Sequence, residues 1–135
     1  MTTVIFGKHI DKINLDKEKN IHTLPVLIGE KIARHMVIGM RLLPYFLLAF
    51  LIATTYFTPL VLVTLLALPR LRRVLPAFLK PKPAERPANF PEGHGGWPLY
   101  FAPLAFRYNR SFGSLLILSL VADVLVRITL PTLWR

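Results

Sequence analysis

The apolar positions of this chain fall into two long blocks separated by polar ones. Residues 42–69, "LLPYFLLAFLIATTYFTPLVLVTLLALP", run without a single charge. One membrane-crossing helix needs about 20 apolar residues, so this run is long for one crossing and short for two. It divides at Thr54-Thr55-Tyr56-Phe57-Thr58-Pro59, where hydroxyls, aromatics and a proline suited to the first turn of a new helix predict a tight hairpin. Each arm then borrows length from its flank. The first takes residues 32–57 and carries Arg41 inside it; the second takes residues 58–79 and extends through "RLRRVLPAFL". The other block, "SFGSLLILSLVADVLVRITLPTLW" at 111–134, ends on Trp134, an aromatic of the kind found at membrane edges. Residues 80–110 are rich in proline and glycine, which prevents a continuous helix. They predict a loop with one short helix or membrane-surface segment near Trp97 to Phe106. The expectation is an all-α integral membrane protein with three transmembrane helices, preceded by an interfacial, Asp-bearing segment at 1–31, together forming one membrane domain.

Composition agrees. The chain is 53% hydrophobic over 135 residues, above the roughly 45–50% of soluble domains. Seventeen Lys and Arg against seven Asp and Glu give a formal charge of +10, which alone would fit nucleic acid, anionic lipid or an anionic substrate. Their distribution separates these. The cations gather in residues 1–41 and 70–110, none lies at the hairpin tip, and only Arg135 follows the last apolar block. Three spans running out, in and out place nearly all of them on one side, which the positive-inside rule makes cytoplasmic. The charge is then topological, membrane lipid is the expected partner, and nucleic-acid binding is set aside. No cysteine is present, so disulfide and thiolate chemistry are excluded. The N-terminus lacks the basic stretch and long apolar core of a secretory signal.

Two places carry candidate chemistry. Asp11 and Asp16 are flanked by Lys8, Lys12, Lys17 and Lys19. Their spacing puts them about 140° apart on a regular helix, so they converge only where a helix ends or loosens, as Asn14 would favour. Carboxylates and lysines at a membrane boundary suit a Mg²⁺-bound diphosphate, the oxygens holding the metal and the ammoniums neutralising phosphate. On spacing alone, solvated surface charge is the simpler reading. The following "HTLPVLIGEKIAR" offers Thr23 as a cap, a rigid Pro25 and Gly29 before the next helix. In the last span, Asp123 and Arg127 lie one helical turn apart. An ion pair facing the bundle interior is the economical arrangement for charges at mid-bilayer, with contact to a substrate or partner in a cavity as the alternative. His9, His22, His35 and His94 match no zinc spacing, although His9 is placed to support Asp11. Walker, dinucleotide and nucleophile-elbow motifs are absent.

The stretch "GKHIDKINLDKEKNIHTLPVLIGEKIAR" resembles the second aspartate-rich motif of the UbiA family of intramembrane prenyltransferases, with the Thr-Leu-Pro-Val and Gly run that follows it. The later "FRYNRSFGSLLILSLVADVL" is similar to the segment entering that family's last helix. The resemblance covers essentially the whole chain but only the C-terminal third or so of the family's fold. It implies a bundle of about nine helices around a cavity opening to the cytoplasm and to lipid. In such enzymes two Asp-rich motifs hold Mg²⁺ on a prenyl diphosphate, and departure of the diphosphate leaves an allylic cation that a hydrophobic, commonly aromatic, acceptor attacks. Asp11 and Asp16 then match metal-binding carboxylates, with Lys8 and Lys12 as diphosphate contacts. Their interval is one residue longer than the family's DxxxD, and the first Asp-rich motif and its helices are not in the sequence. A bacterial inner membrane is the implied location.

Two functions follow as expectations. One is the C-terminal part of a Mg²⁺-dependent prenyltransferase, acting on a prenyl diphosphate and a quinone-precursor or porphyrin-type acceptor, and active only with its missing N-terminal half. The other is a non-catalytic accessory subunit derived from that fold, packed in a larger membrane complex and holding lipid, quinone or pigment.

Overall fold

The computed structural model describes residues 2–88, 90 and 97–130. His94, Trp134 and Arg135 lie outside them. All regular structure among the described residues is helical: α1 (Thr2–Asp11), α2 (Ile13–Glu18), α3 (Leu24–Ile28), α4 (Glu30–Ala53), a 3₁₀ helix (Pro59–Ala67) continued by α5 (Leu68–Leu79), and α6 (Phe101–Thr129).

Two of these helices, α4 and α6, are long and apolar enough to cross a membrane, where three spans were expected. In each, only 11% of the most apolar stretch is buried within the chain. Phe46, Phe50, Ile117 and Ile128 are among the large side chains left exposed on them, Phe46 and Ile128 at 70% each. Apolar surface on that scale marks a lipid or partner interface.

The second arm is not one α-helix, for a reason local to its prolines. Pro69 has no N–H, so the carbonyl of Leu65 cannot receive its usual bond from four residues on. The Leu68 N–H takes that carbonyl from three residues on instead, at the junction where the 3₁₀ helix gives way to α5. Arg70, Arg72 and Arg73 then populate the exposed face of α5, while Leu71, Val74 and Phe78 face inward.

Turns follow local chemistry. After α4, Thr55 adopts φ +58°, and the Tyr56 and Thr55 N–H groups bond back to Leu51 (2.9 Å) and Ile52 (3.0 Å). That pair of bonds closes the helix end, here with a β-branched residue where glycine is usual. Asn20, at φ +54°, closes α2 in the same way, with Ile21 N–H to Asp16 O (2.8 Å) and Asn20 N–H to Lys17 O (3.1 Å). Gly29 joins α3 to α4 at φ +84°, ψ 156°, backbone open essentially to glycine alone.

Helix α6 is the element on which the others assemble. It packs against α1, α5 and the 3₁₀ helix, while α4 covers α1 and the second arm. The main core lies where α1, α4, α5 and α6 meet, around Phe6, Ile10, Val37, Phe78, Phe101 and Ala105. Residues 101–110, expected in a loop with one short helix or surface segment near Trp97 to Phe106, form the first turns of α6. Pro103 permits this because it occupies the first turn, where its missing N–H would have had no partner in the helix.

Candidate functional site

The break anticipated between Asp11 and Asp16 is present, at Lys12 rather than Asn14: α1 ends on Asp11 and α2 begins at Ile13. The two carboxylates engage different partners. Asp11 reaches across to the start of α6, where its Oδ1 accepts the N–H groups of Tyr100 (2.9 Å) and Phe101 (3.0 Å) and its Oδ2 accepts that of Ala102 (2.9 Å). An α-helix begins with four N–H groups that have no intrahelical partner. In α6 three are taken by Asp11 and the fourth does not exist, because the next residue is Pro103. The carboxylate also sits at the positive end of the helix dipole. Burial pushes the Asp11 carboxyl up from its ordinary value, against the pull of the three amides and of Lys82, which lower it.

This capping depends on a close helix contact. A Cβ on Gly7 would lie 3.0 Å from the Phe101 carbonyl carbon and 3.1 Å from the Ala102 nitrogen, so glycine lets α1 touch the backbone of α6. One turn earlier, Thr3 Oγ1 donates to Asn109 Oδ1 (3.1 Å). Thr3, Gly7 and Asp11 therefore form one stripe of α1, spaced four apart, running antiparallel along the first turns of α6. Sequence reasoning missed Thr3 and Gly7; the four-residue spacing from Asp11 was the signal available.

Asp16 is buried and faces its own connector. Its Oδ2 accepts the Thr23 hydroxyl (3.3 Å) and lies 3.5 Å from His9 Nδ1. Thr23 stands at the start of α3 with extended backbone, and Pro25 is buried in the first turn. Thus Asp16 ties α1 to the 19–23 loop, and His9 supports Asp16 rather than Asp11. Lys8 is exposed and Lys12 half-buried.

These residues do not by themselves fit a magnesium centre built from the described residues. Both Asp11 oxygens are committed to backbone amides, and Asp16 with His9 offers two donors where a hard divalent cation takes about six oxygen ligands. Among the described residues, no three His, Asp or Glu side chains gather.

At the other end of α6, Asp123 and Arg127 are brought together, with Arg127 Nε donating to Asp123 Oδ2 at 3.0 Å. Their partners beyond each other define the role. Asp123 Oδ1 accepts the Thr58 N–H (2.7 Å), and Arg127 Nη2 donates to the Tyr56 carbonyl. Both belong to the turn between α4 and the 3₁₀ helix. Asp123 is 3% exposed and Thr58 fully buried. The pair thus satisfies two backbone groups of the turn, of which the Thr58 N–H is buried out of reach of water.

A third charge is held differently. Arg41, 1% exposed, lies with its guanidinium carbon 4.2 Å from the Phe78 ring centre and 5.3 Å from that of Tyr108, a cation–π arrangement. Its three guanidinium nitrogens have no hydrogen-bond partner among the described residues. Nearby, the Tyr108 and Tyr45 hydroxyls are 3.0 Å apart.

Among the described residues, α6 is flanked by openings on two sides. One, of about 820 Å³, lies against α1 and α4 and is mainly apolar, with Met40, Leu43, Phe106, Phe112 and Ile117 in its wall. The other, of about 680 Å³, lies between α5 and α6 and is dominated by arginines. Compared with protein-family models, curated proteins and solved structures, the chain matches none.

Proposed function

We propose that this chain is a membrane-embedded helical module that serves within a larger membrane assembly, rather than a self-contained catalyst. The observation that carries this reading is the commitment of Asp11. A residue placed to hold a metal instead caps α6 with both oxygens, and Asp16 and Asp123 are likewise spent on a connector and a turn. The second arm counts as the third span in this reading. Nine 3₁₀ residues and twelve α-helical ones, at about 2.0 and 1.5 Å each, reach about 36 Å, enough for a hydrocarbon core of about 30 Å. Positive charge then sets the side on which residues 1–31 and 80–110 lie. The apolar cavity beside α4 is of a size that holds small-molecule ligands, and its lining suits a prenyl chain, a quinone or another flat apolar molecule.

A specific observation favours a second reading, a UbiA-type prenyltransferase completed by a partner. Among the described residues the Asp16 carboxylate accepts the Thr23 hydroxyl but no backbone N–H, and Lys8 is exposed on the helix that precedes it, so a partner bringing further carboxylates would meet one acid held only by side chains and one cation there. The test is purification of native membranes containing the wild-type chain or Asp16→Asn, followed by binding of farnesyl diphosphate with and without Mg²⁺. The first reading expects unchanged co-purification with the assembly and no Mg²⁺-dependent binding. Mg²⁺-dependent binding that Asp16→Asn abolishes would overturn it in favour of the second.

A further inference from the structure

Four arginines from two helices converge where α6 turns from polar to apolar. Arg70 and Arg73 of α5 face Arg107 and Arg110 of α6 across the 680 Å³ groove, and no carboxylate is among its lining residues. All four are exposed. Ser111 braces one of them: its hydroxyl accepts from Arg70 Nη1 and donates to the Arg107 carbonyl. Four guanidiniums around one opening repel each other unless an anion lies between them, and their planar donor sets match phosphate oxygens.

The position of the groove along α6 narrows the anion. Residues 101–110 include Arg107 and Arg110, whereas from Leu115 to Ala122 the helix carries no charge. Leu115 lies about 12 Å further along the axis than Arg107, and it lines the groove with Leu66, which is 68% exposed. The groove therefore presents cations at one end and apolar side chains at the other, the pattern of a headgroup above acyl chains. Basic pockets between membrane helices take anionic headgroups for this reason.

We propose that the groove between α5 and α6 binds an anionic phospholipid, with its phosphate held by Arg70, Arg73, Arg107 and Arg110 and an acyl chain laid along Leu66 and Leu115. This rests on the membrane-embedded reading above. The experiment reconstitutes the full chain in nanodiscs of dioleoylphosphatidylcholine, alone or mixed with dioleoylphosphatidylglycerol, and counts retained lipid by native mass spectrometry. Wild type is expected to retain the phosphatidylglycerol. The Arg73→Gln/Arg107→Gln variant should retain it about thirtyfold less, the loss expected for two headgroup-level arginines. A Lys17→Gln/Lys19→Gln variant, equal in charge change but distant in sequence and exposed, should retain it as wild type does. Equal loss in both variants, or none in the first, would overturn the site. Displacement of the lipid by inorganic phosphate alone would overturn the lipid assignment. Membrane embedding is read separately, by resistance to alkaline extraction: an extracted chain overturns the embedded reading, whereas a resistant chain without phosphatidylglycerol selectivity overturns only the groove.

Discussion

Replacing Asp11 separates a structural carboxylate from a metal ligand. Three backbone N–H groups point at it from 2.9–3.0 Å. Hydrogen bonds to a charged group contribute about 1.5–3 kcal/mol each when fully realised, but residues at helix starts typically contribute about 0.5–2 kcal/mol in total, because fraying and water recover part of the loss. Asp11 lies between these cases, being half-buried and serving three donors. Asp11→Ala should therefore cost about 2–3 kcal/mol. Asp11→Asn keeps an oxygen for the Tyr100 and Phe101 amides but sets an NH₂ against the Ala102 N–H, and should cost about 1–2 kcal/mol. The loss should appear as release of α1, since α1 meets α6 through this contact, the Gly7 approach and the Thr3–Asn109 bond. Hydrogen–deuterium exchange in detergent micelles reads it directly. Amides of residues 4–10 and 104–106 should exchange about 30- to 150-fold faster in Asp11→Ala, with Asp11→Asn between it and wild type. The effect should be the same with Mg²⁺ or with EDTA. Exchange within about threefold of wild type, or acceleration seen only when Mg²⁺ is present, would refute the capping argument.

Other substitutions probe the remaining contacts. Thr55→Gly should raise stability by about 1 kcal/mol by relieving the left-handed backbone of a β-branched residue, seen as a higher unfolding midpoint in sodium dodecyl sulfate titrations; an unchanged or lower midpoint counts against it. Asp123→Ala should cost about 1–3 kcal/mol, chiefly by leaving the buried Thr58 N–H without its acceptor, because Arg127 keeps the Tyr56 carbonyl; Arg127→Ala should cost clearly less, since Asp123 keeps Thr58. A double-mutant cycle on the two should give a coupling of at least about 0.5 kcal/mol, and strict additivity would show that they act independently. Arg41→Met should be neutral or stabilising, because it exchanges a buried charge without hydrogen-bond partners among the described residues for a side chain that fills similar space. Severe destabilisation would mean that Arg41 holds a ligand or water that compensates its charge.

Sequence by itself determined what depends on neighbours along the chain. Long uncharged runs predict helices apolar enough to cross a membrane; Thr54 to Pro59 interrupts one such run; and a four-residue interval places Asp123 beside Arg127 on any α-helix. The break at Lys12 and the extension of α6 back to Phe101 are less legible, because each depends on what caps the helix end. That cap is the clearest case of what only tertiary structure decided. The spacing of Asp11 and Asp16 invited a shared site, yet Asp11 binds amides some ninety positions away, and no local rule ranks those amides above a metal or water. Gly7 acquires its role only once the α6 backbone lies against it, and Arg41 becomes buried only once Phe78 and Tyr108 close over it. Arg70, Arg73, Arg107 and Arg110 are scattered cations in the sequence and a single groove in the fold. Periodicity fixes the face on which a side chain stands, but the partner of a charge is set by which helix ends meet, and those are chosen by packing across the whole chain.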